Sequence, residues 1–114
     1  MARVAIPVTA LDRTGVAPPA QTNADATNDH TLSNPNGRTL LEIVSSDASS
    51  QTVEFELVTA AVDGVTVPPK TVTIAAGVTR LVGPFPKNFY NQTGDVINVN
   101  PSVSTTLKFR AYSI

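Results

Sequence analysis

In residues 52–57, Thr-Val-Glu-Phe-Glu-Leu, polar and apolar side chains alternate without a break. Successive side chains of an extended strand point to opposite faces. Val53, Phe55 and Leu57 therefore share one face, expected to be buried, and Thr52, Glu54 and Glu56 share the other, expected to be solvated. Residues 71–74 repeat the pattern, with Thr71 and Thr73 outward and Val72 and Ile74 inward. No window carries the 3.6-residue apolar period of an amphipathic helix, so no helix longer than about two turns is expected. Valine and threonine, each present fifteen times, are the commonest residues, and both are β-branched types that suit a pleated surface. A chain written this way builds sheets, and its function has to come from their surfaces.

From Arg38 onward the punctuation is regular. Strands are expected over residues 39–44, 51–58, 65–67, 70–75, 78–82, 95–100 and 105–113. Between them lie the Ser-rich stretch 45–50, the Asp63-Gly64 pair, Pro68-Pro69 and Ala76-Gly77. Short strands at about 8–12-residue spacing predict an all-β fold: a single antiparallel β-sandwich of about seven to nine strands, spanning residues 38–114. Residues 1–37 differ. An extended stretch, Arg3-Val4-Ala5-Ile6-Pro7-Val8-Thr9, is interrupted by a proline that suits an edge or an arm. Residues 12–37 carry Pro18-Pro19 and Asn34-Pro35-Asn36-Gly37 and no helical period, so they are expected to form a loop. The segment 1–37 is thus expected to be an extended N-terminal arm and loop, with pairing as an edge strand of the same fold as the other possibility.

Charge and composition exclude several classes. Eight basic and nine acidic residues are scattered along the chain, which gives neither the basic cluster that nucleic acid requires nor a polybasic route to a membrane. No apolar run approaches the roughly 20 residues of a membrane helix, and the N-terminal apolar stretch breaks at Pro7, unlike a secretory signal. Without cysteine there is no disulfide, thiolate ligand or thiol nucleophile. A small domain of this kind gains stability by oligomerisation or by docking on a larger assembly.

The candidate chemistry is sparse. His30 is the single histidine, too few for a transition-metal site, and reads as a surface or loop residue without a catalytic role. Glu54 and Glu56 project from one strand face, a spacing seen in acid–base pairs but commoner on a solvated sheet face. Asn91-Gln92-Thr93 matches a glycosylation acceptor that arises often by chance. The oxygen-rich residues 25–29 lack the closing Glu of a calcium loop, and no phosphate loop or nucleophile elbow is present. No enzyme activity, cofactor or metal is expected. Residues 83–90, Gly-Pro-Phe-Pro-Lys-Asn-Phe-Tyr, hold three of the six aromatics on a backbone pre-set by two prolines. They read first as a cap on the open end of an aliphatic core and second as a contact loop. The candidate partner-contact residues are Phe85, Phe89 and Tyr90 in this segment, with Arg3, Val4, Ile6 and Val8 near the N-terminus.

Asn36-Gly37-Arg38-Thr39-Leu40-Leu41-Glu42-Ile43, the Asp63-Gly64-Val65 turn, Thr71-Val72-Thr73-Ile74-Ala75-Ala76-Gly77, Thr79-Arg80-Leu81-Val82-Gly83-Pro84-Phe85-Pro86 and Phe89-Tyr90-Asn91 form a turn-and-strand series. Over about residues 28–114 the series resembles small β-sandwich virion structural proteins of tailed bacteriophages, the head decoration and minor capsid proteins. The resemblance implies a capsid decoration (cement) protein, made in the host cytoplasm and placed on the outer surface of the phage head. It would bind the major capsid protein and bridge its subunits, as a homo-oligomer with a trimer favoured. A tail or head–tail connector component is the nearest alternative, and a carbohydrate-binding or adhesin module the next. The family has no catalytic residues to carry over.

Overall fold

The computed structural model describes residues 2–59 and 61–114. Met1, the first residue of the expected arm, and Ala60 lie outside them. The described chain runs β1 (Val4–Ile6), β2 (Val8–Ala10), β3 (Thr22–Asn23), β4 (His30–Ser33), β5 (Thr39–Ser45), β6 (Gln51–Phe55), β7 (Ala61–Val62), β8 (Val65–Thr66), β9 (Lys70–Ile74), β10 (Thr79–Val82), α1 (Lys87–Tyr90), β11 (Val96–Pro101) and β12 (Leu107–Ser113). The fold is all-β, and its one described helix is a single turn.

Two sheets carry the core. One has the order β1-β4-β11-β6-β9, and the other β10-β5-β12-β2, with β3 pairing β12 beside β2. A separate hairpin joins β7 to β8 through Asp63 and Gly64, whose φ values of 50° and 79° are those of the tight two-residue turn expected of this pair. The sheets are mixed, where purely antiparallel ones were expected. β1 runs parallel to β4 with Val4 opposite His30, and β2 runs parallel to β12 with Val8 opposite Ala111. Neither pair is joined by a hairpin. The chain leaves β1 through Pro7, enters the other sheet as β2, and returns to β4 only after residues 11–29, so nothing forces the antiparallel direction.

The alternation read from the sequence sets the packing. Ile6, Leu32, Val53, Phe55, Ile74, Ile97 and Val99 from the first sheet meet Leu41, Ile43, Leu107, Phe109 and Ala111 from the second in one buried cluster. Ala24 and Phe85 complete it from the loops. Leu57, expected inside, is half-buried because β6 ends at Phe55, and Glu54 and Glu56, expected to be fully solvated, are also half-buried.

Residues 12–37 are not all loop. β3 and β4 lie within them, and β4 is an inner strand between β1 and β11. The N-terminal segment is paired within the chain's own sheets: β1 edges one, β2 edges the other, and Ile6 is buried. Pro7 sits between the two short strands, where its missing N–H interrupts no ladder.

Candidate functional site

The outer face of the first sheet is a closed polar network. Alternation along β6 and β11 brings Glu56, Asn98 and Asn100 to the same side. Arg3, just before β1, donates to Glu56 Oε2 at 2.8 Å, to Asn100 Oδ1 at 2.7 Å and to the His30 carbonyl at 3.2 Å. Glu56 also accepts from Asn100 Nδ2 at 2.8 Å and Asn98 Nδ2 at 3.3 Å. Burial opposes the Glu56 charge, but the bonds from Asn100 and Asn98 and the nearby Arg3 outweigh it and hold the carboxyl below its ordinary range. Arg3, a candidate contact residue, therefore has its guanidinium engaged within the chain. Neither glutamate forms an acid–base pair: Glu56 is clamped, and Glu54 lies opposite Thr71.

His30 corrects the sequence reading most sharply. Expected at the surface, it is fully buried. Its position in β4 faces inward, opposite Val4 and Val99, because β4 alternates His30 and Leu32 into the core. The ring meets Phe109 edge-on at 5.1 Å. Both ring nitrogens bond to backbone, which is how a polar ring is tolerated there. Nε2 accepts the Asp25 N–H at 2.9 Å, and Nδ1 donates to the Val4 carbonyl at 3.0 Å. Those partners fix the neutral Nδ1–H tautomer.

The Gly83–Tyr90 segment folds back on the core. Phe85 is buried against Phe55 at 5.0 Å and Tyr90 at 5.4 Å, as the capping reading expects. A Cβ at Gly83, where φ is 122°, would stand 2.8 Å from the Thr39 carbonyl, so only glycine lets the chain turn this close to β5. Buried Asn34 then bolts the segment down. It donates to the Phe85 carbonyl at 2.9 Å and to Asn91 Oδ1 at 2.8 Å, while Asn91 Nδ2 returns a bond to the Asn34 carbonyl at 2.8 Å. The amide of the glycosylation-like triplet is thus held inside the fold.

The remaining candidate contact residues divide. Ile6 is in the core, Val8 packs on its rim and Val4 is exposed along β1. Phe89 is 58% exposed and lines an apolar groove of about 350 Å³ with Leu57, Val62 and Val67 near the β7–β8 hairpin. The structure does not gather the N-terminal and aromatic sets into one patch.

A larger feature lies elsewhere. On the outer face of the second sheet, Leu11, Leu40, Leu81 and Tyr112 line a groove of about 480 Å³, with Glu42 at its margin. Leu81 is 74% exposed at the sheet edge, and Glu42 accepts from Arg110 Nη1 at 3.3 Å beside it. The sequence signal for this face is the doubled Leu40-Leu41: in a strand one of the pair must point away from the core, and Leu41 takes the inside. No known family, curated protein or solved structure matches the chain.

Proposed function

We propose that this chain is a structural virion protein, a cement protein on the outside of a tailed-phage head, built as a single β-sandwich whose N-terminal strands close one flank. The observation that carries the reading is the contrast in polarity between the two outer faces. Polar side chains of the first sheet bond to one another, while the second sheet leaves Leu11 and Leu81 exposed and Leu40 and Tyr112 half-buried beside them. An apolar patch of that kind, beside the Glu42–Arg110 pair, marks a protein contact. The chemistry suits bridging: burying the patch on neighbouring major capsid subunits stabilises only the assembled state, by mass action. A homotrimer would present three such faces at once and bind with the avidity of a linked set.

The contact surface in this reading is the Leu81 face rather than Arg3, Ile6 or Phe85, whose side chains are engaged inside the fold. The test is co-sedimentation with expanded phage heads. The parent chain should pellet with heads, and a Leu81→Glu variant with unchanged melting temperature should remain in solution. Failure of the parent to bind any head preparation, or equal binding by the variant, overturns the reading.

A further inference from the structure

We propose that His30 is an acid-sensitive latch that holds the turn over residues 25–29 against the sheet and releases it when the ring takes up a proton. The proposal rests on which atoms the ring touches. Nδ1 donates to the carbonyl of Val4, the first residue of β1, and Nε2 accepts the backbone N–H of Asp25, in the loop leading to β4. The neighbouring Val4 N–H bonds to the Asp29 carbonyl at 2.9 Å, so β1 and residues 25–29 meet around the ring.

A neutral imidazole fits both contacts. A protonated one fits only one of them. A proton on Nε2 would point a donor at the Asp25 N–H, and two donors at 2.9 Å repel. The ring cannot relieve this by reaching water, because it is fully buried against Phe109. The Asp25 carboxylate already accepts from the Thr27 and Asn28 N–H groups and from Asn28 Nδ2.

Charges from each neighbouring element bear on the ring. Burial pushes it below its ordinary value of 6.5, the Val4 carbonyl, Asp25 and Asp29 pull it up, and Arg3 ahead of β1 pushes it down. Lys108 and Arg110 of β12 flank inward-facing Phe109 and project to the opposite face of that sheet, and β11 carries no charge. The neutral ring is the folded form. Its contribution is complete above 6.5 and is lost as pH falls below that value toward the lower folded one.

The cheapest way to accommodate the proton is local. The bond that fails is the one to Asp25, since Nδ1–H keeps its bond to the Val4 carbonyl, and the turn over residues 25–29, with Ala26 and Thr27 exposed, can shift while β5, β12, β6 and β11 remain paired. That shift also draws the Asp29 carbonyl away from the Val4 N–H, so the start of β1 loosens with the turn. This goes beyond the cement reading and does not depend on it.

The experiment is residue-resolved amide exchange on the full chain between about pH 7.5 and about pH 5.5, corrected for the intrinsic rate, with nitrogen-15 spectra of the histidine ring. Protection of the Val4 and Asp25 amides should fall severalfold, up to about tenfold, over that range, while the Ile43 and Phe109 amides keep theirs. The neutral ring should show the Nδ1–H tautomer. In His30→Gln, which can still accept the Asp25 N–H but does not titrate, Val4 protection should no longer follow pH. Unchanged Val4 protection in the parent, equal loss at Ile43 and Phe109, or an Nε2–H tautomer each overturns the proposal. So does a fall that persists in His30→Gln. If that variant does not fold, the parent's differential exchange and its ring spectra decide alone.

Discussion

The outer faces of the two sheets answer the same problem in opposite ways. On the first, Arg3, Glu56, Asn98 and Asn100 satisfy one another, so the face is finished within the chain. On the second, the Glu42–Arg110 pair is the one charged contact among the described residues, and beside it Leu81 and Leu11 are exposed and Leu40 and Tyr112 only half-buried. Burial of a leucine side chain stabilises by about 1.5–3 kcal/mol, so an uncovered set of this size represents several unused increments. A closed polar face keeps a protein soluble, and an open apolar one gives it something to bind.

Both faces stand on one core, and Phe55→Ala tests that first. Phe55 is fully buried and touches Phe85, so its loss should cost about 3–5 kcal/mol in denaturant unfolding and loosen both sheets together. A cost below about 1 kcal/mol would mean the sheets do not share their interior. Next in size is Leu81→Glu. Head binding should drop by about 100-fold or more, with folding stability changed by less than about 0.5 kcal/mol. Loss of stability instead would show that Leu81 supports the fold and that the face is not open.

The polar face gives a smaller effect. Glu56→Gln should destabilise by about 1 kcal/mol at neutral pH, a modest figure because Arg3 and Glu56 are partly exposed and screened. The contribution of the charge is complete above the ordinary value of 4.5 and lost as pH falls through the lower folded value. The gap between parent and variant should therefore shrink as pH falls below 4.5, and a gap that stays constant would remove the charge from the explanation. Head binding should be the same for both. Smallest of all, Phe89→Ser should change stability by no more than about 0.5 kcal/mol, since that ring is exposed. A larger loss would move the groove near the hairpin into the folded core.

How much was legible follows from what each residue answers to. Strands β5, β6, β9, β10, β11 and β12 fall within a few residues of their expected positions, because one buried face imposes a period of two on the sequence. β4 was not legible, since histidine counts as polar in any pattern and only the Asp25 and Val4 backbone bonds make it an inward residue. The Arg3–Glu56 contact spans 53 positions and left no local trace. The open face was half legible: Leu40-Leu41 shows that one leucine must point outward, but not that Leu11, Leu81 and Tyr112 gather beside it.

The parallel pairing of β2 with β12 also sets a timetable for synthesis. β12 is an inner strand of its sheet, with β5 along one edge and β2 and β3 along the other, yet it is made roughly a hundred residues after β2. β2 and β3, which pair with no other strand among the described residues, must therefore wait until residues 107–113 have left the ribosome. Folding that depends on such distant partners falls in the slow range of about milliseconds to seconds, so the exposed nascent chain is the stage at which this protein most needs a chaperone.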